Sequence, residues 1–359
     1  MRFDDFHMQK VNFSPIVSNK KKQIIMKNKY IFLVILFILT STNVNGQKTD
    51  YLNKPKHQRV SQAYGFIIGQ EYTLNIIKSE FPKFEIHVLK AEMAFNSTFG
   101  NSKVKLKDYL LDFLGQNEFL KFEGTLQNEL NKTFENQIIS EEAANGFIIE
   151  VESRAKGNII SPVLETLLCF QFYDFPADEF RSGFTSIFKT KGHPKSKNTD
   201  WQLRVPISWK AEEAERPNII QKFTSDYGSG HQAIMLMVKD LDIPKEYKAT
   251  KEELNNLFTE KEMKATMVPD GAKFISFSKM TIDRNIGGMI EFEQIVERLD
   301  FKLKVRMVMF MFIRGNKMYS FQGNISTSNI NTDLSVDMKK YLPLYKLIAN
   351  SIVVNEQYK

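Results

Sequence analysis

Phe301-Lys302-Leu303-Lys304-Val305-Arg306-Met307-Val308-Met309-Phe310-Met311-Phe312-Ile313 is the stretch that decides the fold. Its odd positions are all apolar. Its even positions are basic at 302, 304 and 306, then apolar at 308, 310 and 312. A period of two is the signature of a strand. A strand that begins basic on one face and ends apolar on both starts against water and finishes covered on both sides. The sheet it belongs to therefore needs cover on each face.

Working outward, Gly315-Asn316 turns the chain into a strand at Met318–Gly323. A helical stretch follows from about 333 to 353, with a break or kink at Pro343. Upstream, strands at about 273–282 and 288–297 flank Asn285-Ile286-Gly287-Gly288, which reads as their turn. Thr250-Lys251-Glu252-Glu253 is a capping box that opens a helix ending before Pro269. Strands at Asn218–Thr224 and His231–Lys239 are joined by Ser225-Asp226-Tyr227-Gly228-Ser229-Gly230, a hairpin loop by composition. Trp201–Val205 and Phe184–Thr190 are further strands, and the polar run 191–198 between them is a loop.

Before residue 183 the period is helical. Ser140 caps a helix with Glu141 and Glu142 in its first turn. Ala144, Phe147, Ile148 and Val151 form its stripe, Arg154 and Lys156 lie in its last turn, and Gly157 stands beyond. That order matches the helix dipole and cap chemistry. Leu106, Leu110, Phe113 and Leu114 form a second stripe ended by Gly115. Further helices are expected at about 60–80, 84–96, 117–135 and 161–171. The predicted class is α+β: a mainly helical domain at 47–182, then an α/β domain at 183–359 with an antiparallel sheet.

Residues 200–355 carry a resemblance. Trp201…Val205-Pro206-Ile207-Ser208-Trp209, two strands, a helix, a long meander, Asn316-Lys317-Met318-Tyr319, and closing Leu347-Ile348-Ala349-Asn350-Ser351-Ile352 are similar to the PsbP-like family. That family holds extrinsic photosystem II subunits and small Ran-GTPase-binding proteins on an α/β/α sandwich. The whole chain also resembles a group of uncharacterised exported bacterial proteins. The resemblance implies a binding or assembly module and transfers no site residue. Fold alone does not imply function.

Near the N-terminus, Lys27 and Lys29 precede nine apolar residues, Ile31–Leu39. Polar residues and then Val44-Asn45-Gly46 follow. This is the order of a secretory signal, with cleavage expected between Gly46 and Gln47. An uncleaved anchor is the alternative, although the run falls short of the ~20 residues a span needs. Residues 26–46 are read as the signal and 1–25 as an upstream extension or start-site artefact. An exported protein, periplasmic or extracellular, is expected, with no transmembrane span in the mature chain.

The 359 residues carry net +7. Residues 1–46 hold seven basic and two acidic side chains, so without them the balance is +2. A near-neutral mixed surface leaves no footprint for nucleic acid. The single cysteine, Cys169, has apolar neighbours and reads as a small buried hydrophobe. The histidines beyond residue 46 (His57, His87, His193 and His231) show no metal-ligand spacing. No H-E-x-x-H, C-x-x-C, Walker A, G-x-G-x-x-G or G-x-S-x-G motif occurs. No cofactor, metal site or catalytic residue is assigned.

Three features remain. The 225–231 loop carries Asp226, Tyr227 and His231, near Trp209 and Arg216 in sequence, and these five are the candidate ligand or partner contacts. The bland reading makes the loop a tight turn and Trp209 a core residue. Met307, Met309 and Met311 share a strand face that suits Cu(I) or, more simply, core packing. Asn96, Asn131 and Asn324 head glycosylation sequons. The expected function is an exported binding or assembly protein with a protein partner in the envelope or outside the cell. A hydrolase with a dispersed Asp/His/Ser set and a structural envelope protein are the alternatives.

Overall fold

A computed structural model describes residues 55–358 except 136, 245, 299 and 300. The signal-like segment, with Gly46 and Gln47, lies outside the described residues. The N-terminal part is helical: α1 (Lys56–Glu80), α2 (Glu85–Leu114), α3 (Gln116–Glu135), α4 (Glu141–Arg154) and α5 (Val163–Gln171). The short α6 (Pro176–Arg181) follows. α2 runs through the two segments read separately at 84–96 and 106–114. Nothing between Phe95 and Leu106 breaks it, because Gly100 stays helical beside Phe99, which is fully buried. Gly115, at φ +77°, ends it as expected. Ser140 accepts from the Ala143 amide at 3.2 Å and caps α4.

The rest is a seven-stranded antiparallel sheet and a three-stranded one. The strands are β1 (Thr185–Lys189), β2 (Trp201–Pro206), β3 (Lys210–Glu212), β4 (Ile219–Thr224), β5 (Gln232–Asp240), β6 (Lys273–Ile282), β7 (Asn285–Arg298), β8 (Phe301–Arg314), β9 (Lys317–Thr327) and β10 (Val353–Val354). The large sheet has the order β3-β4-β5-β9-β8-β7-β6, the small one β1-β2-β10.

β8 behaves as its alternation demands. Val308, Phe310 and Phe312 enter one core with Trp201, Leu203, Val205 and the buried face of α9 (Ser335–Asn350). Met309 and Met311 enter the opposite core with Phe258, which caps α7 (Lys251–Leu257), and Met263 of α8 (Glu260–Met267). These methionines therefore serve packing. At the basic end, Arg306 Nε donates to Glu291 on β7 at 2.7 Å, a cross-strand pair.

Four local expectations are corrected. The 250–269 helix is two helices, because Thr259 recaps the chain and accepts from the Glu262 amide at 3.4 Å. The β6–β7 turn is Asp283-Arg284, both at positive φ, and not Asn285–Gly288. Gly287 and Gly288 are strand residues kept small by close approach: a Cβ at 287 would lie 2.2 Å from the Met311 carbonyl oxygen, and one at 288 would lie 2.5 Å from the Phe277 ring. Pro343 sits inside a continuous α9 and does not break it. Asn324 is 6% exposed on β9, so that sequon is inaccessible to glycosylation.

The two cores interleave at the join. Ala177 and Phe180 of α6 pack into the sheet core, while Phe184 and Ile207 pack with the helical core.

Candidate binding cleft

A cleft of about 630 Å³ opens where the helical part meets the sheet part. Its walls come from segments far apart in sequence. α1 supplies Lys56, α2 supplies Lys105, Asp108 and Tyr109, and the end of α5 supplies Cys169, Phe170, Phe172 and Tyr173. α6 supplies Glu179, the 225–232 turn supplies Asp226 and His231, and α9 supplies Asp337, Lys340 and Tyr341. A second hollow of about 460 Å³, beside Tyr72, Asn131 and Phe134, lies on the helical part alone.

Ser208 is the node at the floor. Its amide donates to Glu179 Oε1 at 2.8 Å and its hydroxyl to Oε2 at 2.5 Å. Its carbonyl accepts from the Tyr227 amide at 2.9 Å and from the Cys169 thiol at 3.7 Å. One residue thus ties α6, the turn and α5 together. Glu179 is buried, and burial pushes its carboxyl up to about 7 against the pull of the Ser208 donors. Burial likewise raises the Cys169 thiol, so it is no ready nucleophile.

The 225–230 turn is held from α1. Arg59 Nη2 donates to the Asp226 carbonyl and to Ser229 Oγ, both at 3.1 Å. Its guanidinium lies 5.4 Å from the centroid of the Tyr227 ring. Lys56 pairs with the Asp226 carboxylate at 2.5 Å. Asp226 and Tyr227 sit at φ +50° and +47°, a costly pair for non-glycine residues. The contacts from α1 hold them there.

The cleft walls repeat one motif, an ammonium over a ring. Lys56 Nζ is 5.0 Å from the Tyr109 centroid and 5.7 Å from that of Phe170. Lys340 Nζ is 4.0 Å and Lys105 Nζ 5.4 Å from the Tyr173 centroid. Lys105 is ion-paired to Asp174.

Of the five sequence candidates, Trp209, Asp226 and His231 line this cleft. Trp209 does so from beneath, at 6% exposure, edge-on to Tyr341 and Tyr345. Tyr227 is buried under Arg59 and is a support, not a contact. Arg216 is exposed on the β3–β4 connection and is not part of the wall. The lysines and Glu179 were not singled out, because each reads alone as a solvated charge. Only the tertiary fold brings them together. Among the described residues no group of three His, Cys, Asp or Glu side chains converges as a metal site. No helix there is long and apolar enough to cross a membrane.

No protein-family model matches the chain, and no curated protein matches it. Solved structures similar to about half of it include a cyanobacterial PsbP from Synechocystis sp. PCC 6803. That match has 12% identity and a TM-score of 0.28, covering 48% of this chain and 94% of the other. LpqN of Mycobacterium tuberculosis, described as involved in cell envelope biogenesis, has 15% identity, a TM-score of 0.29 and coverage of 50% and 96%. PA94 of Pseudomonas aeruginosa, described as a putative regulator, has 12% identity, a TM-score of 0.23 and coverage of 48% and 97%. At these scores the likenesses carry no argument about function. They span about half of the chain.

Proposed function

We propose that the protein is an exported binding or assembly module whose contact site is the cleft between its helical and sheet parts. The observation that carries this reading is the cleft itself. It is sizeable, lined by aromatic rings and charges from both parts, and floored by one hydrogen-bond node. Convergent polar groups in a largely aromatic concavity are what ligand sites are made of. The signal-like order of residues 26–46 supports export, with the partner in the envelope or outside the cell. The alternative of a hydrolase with a dispersed Asp/His/Ser set is supported less well. Asp226 is paired to Lys56, and His231 is exposed.

A photo-crosslinking residue at Tyr173, 59% exposed at the mouth, tests the site. It is expected to capture a discrete species from the native envelope fraction. The same residue at Ile295 on β7, 52% exposed, is expected to capture none. Equal capture at both positions overturns the cleft as the site.

A further inference from the structure

Resting on that reading, we propose that the cleft takes an acidic amphiphile: a carboxylate or phosphate head held by Lys340 and an apolar body laid along the aromatic wall. The argument starts from what each charge already has. Lys56 has Asp226 and Lys105 has Asp174. Lys340 has no carboxylate within ion-pair distance and no hydrogen-bond acceptor among the described residues. Its neighbours on the wall are Asp174, Asp337 and Lys105, and its direct contacts are ring faces, Tyr173 at 4.0 Å and Tyr341 at 5.6 Å.

An ammonium with three donors, partly withdrawn from water and given only ring faces, is under-solvated. Burial pulls its pKa down against the opposing fields of Asp174 and Asp337, with Lys105 adding a smaller push in the same direction as burial. A ligand anion supplies the missing acceptor. The opposite class of ligand is disfavoured by the same geometry. The ring faces that would attract a cation are already covered by Lys56, Lys105 and Lys340. Two carboxylates of the lining, Asp108 and Asp337, have no ion pair among the described residues: Asp108 is exposed, and Asp337 stands one helical turn before Lys340 and faces it.

The apolar half of the ligand follows from the rest of the wall. Phe170, Phe172, Tyr109 and Tyr341 line the cleft. At its lip Tyr173 is 59% exposed, and Phe175, two residues on and outside the lining, is 71% exposed. Large exposed aromatics around a concavity mark a surface waiting for apolar cover. A small polar anion alone leaves that surface wet, whereas an acid with a chain of several carbons covers it.

The test is titration of the purified protein with dodecanoate below micelle formation, read by tryptophan emission. Trp209 lines the cleft, and the other tryptophan, Trp201, is fully buried. Dodecylammonium and dodecyl maltoside are the cationic and neutral comparisons. The expected result is saturable dodecanoate binding, weakened at least 10-fold by Lys340→Gln, largely restored by Lys340→Arg, and unchanged by Lys339→Gln on the same helix. Sedimentation with phosphatidylglycerol vesicles that dodecanoate reverses identifies a lipid headgroup as the source. Dodecanoate binding without sedimentation identifies a free acid. Equal binding by Lys340→Gln, or equal affinity for dodecylammonium, overturns the proposal. A response to the neutral or cationic probe without one to dodecanoate overturns the ligand class and leaves the cleft standing. No response to any of the three overturns both.

Discussion

Glu179→Gln is the sharpest single perturbation of the cleft floor. The folded protein holds the Glu179 proton until about pH 7, because burial opposes the charge. An unfolded chain releases it near the ordinary value of 4.5. Below 4.5 both states are protonated, and the favourable contribution of the neutral acid is fully present. Above that, the unfolded state gains by ionising and the folded state does not, so stability falls as pH rises. The loss is complete once the pH passes about 7. At about 1.4 kcal/mol per pH unit, the gap between those values amounts to about 3 kcal/mol. Glutamine is the neutral isostere: its oxygen accepts from the Ser208 amide, and the Ser208 hydroxyl, which donates to Glu179 Oε2, turns to accept from the glutamine NH2. It does not titrate. Urea unfolding of wild type and variant from pH 4 to pH 9 isolates this group, since all others cancel in the difference. The variant is expected to match wild type near pH 4.5 and to exceed it by about 3 kcal/mol at pH 8 to 9. A difference that stays flat with pH refutes the claim that burial governs Glu179. A variant less stable at pH 8 refutes the claim that the charged form is the disfavoured one.

Gly323→Ala on β9 places a Cβ 2.6–2.7 Å from three ring carbons of Tyr345. That residue is fixed by Trp209, Tyr341 and Phe321, so urea unfolding is expected to show a loss of about 1–3 kcal/mol. Much of it should be relieved when Tyr345 is shortened to Leu in the same chain. Arg59→Ala removes two charged hydrogen bonds to the 225–230 turn, and calorimetry is expected to show a loss of about 2–3 kcal/mol. Asp283→Asn removes the charge that accepts from the Val354 amide at 2.6 Å and from the Gln357 and Tyr358 side chains. Hydrogen exchange at Val354 is expected to quicken about 10-fold, while the β8 amides stay unchanged.

How much of this was legible depends on the range of the cause. The two faces of β8, the Ser140 and Thr250 caps and the positive-φ glycines at 115 and 157 are set by residues within a few positions, and the pattern shows them. α6 was missed because six residues hold less than two turns, too few for a period to register. Yet α6 carries Glu179. The β6–β7 turn was placed two residues late because glycine signals both turns and close packing. Gly287 and Gly288 are small for the second reason, which only Met311 and Phe277, brought alongside by the sheet, reveal.

The cleft shows the same limit more severely. Trp209 and Tyr227 are aromatics beside a glycine-rich loop, a signal that describes a binding ring and a buried ring equally well. What separates the two is who arrives from elsewhere. Arg59 covers Tyr227 from 168 residues upstream, and Tyr341 and Tyr345 cover Trp209 from the far end of the chain. The rings that stay exposed, Tyr173 beneath its two lysines and Phe175, stand in a stretch whose pattern marks nothing. Trp209 nonetheless keeps a role. It lies between the cleft floor and Tyr345, which fills the space over Gly323. A ligand that presses on Tyr341 therefore presses on a packed column of rings ending at the sheet. That makes Trp209 emission a faithful reporter of cleft occupancy even though Trp209 itself is not the recognition surface.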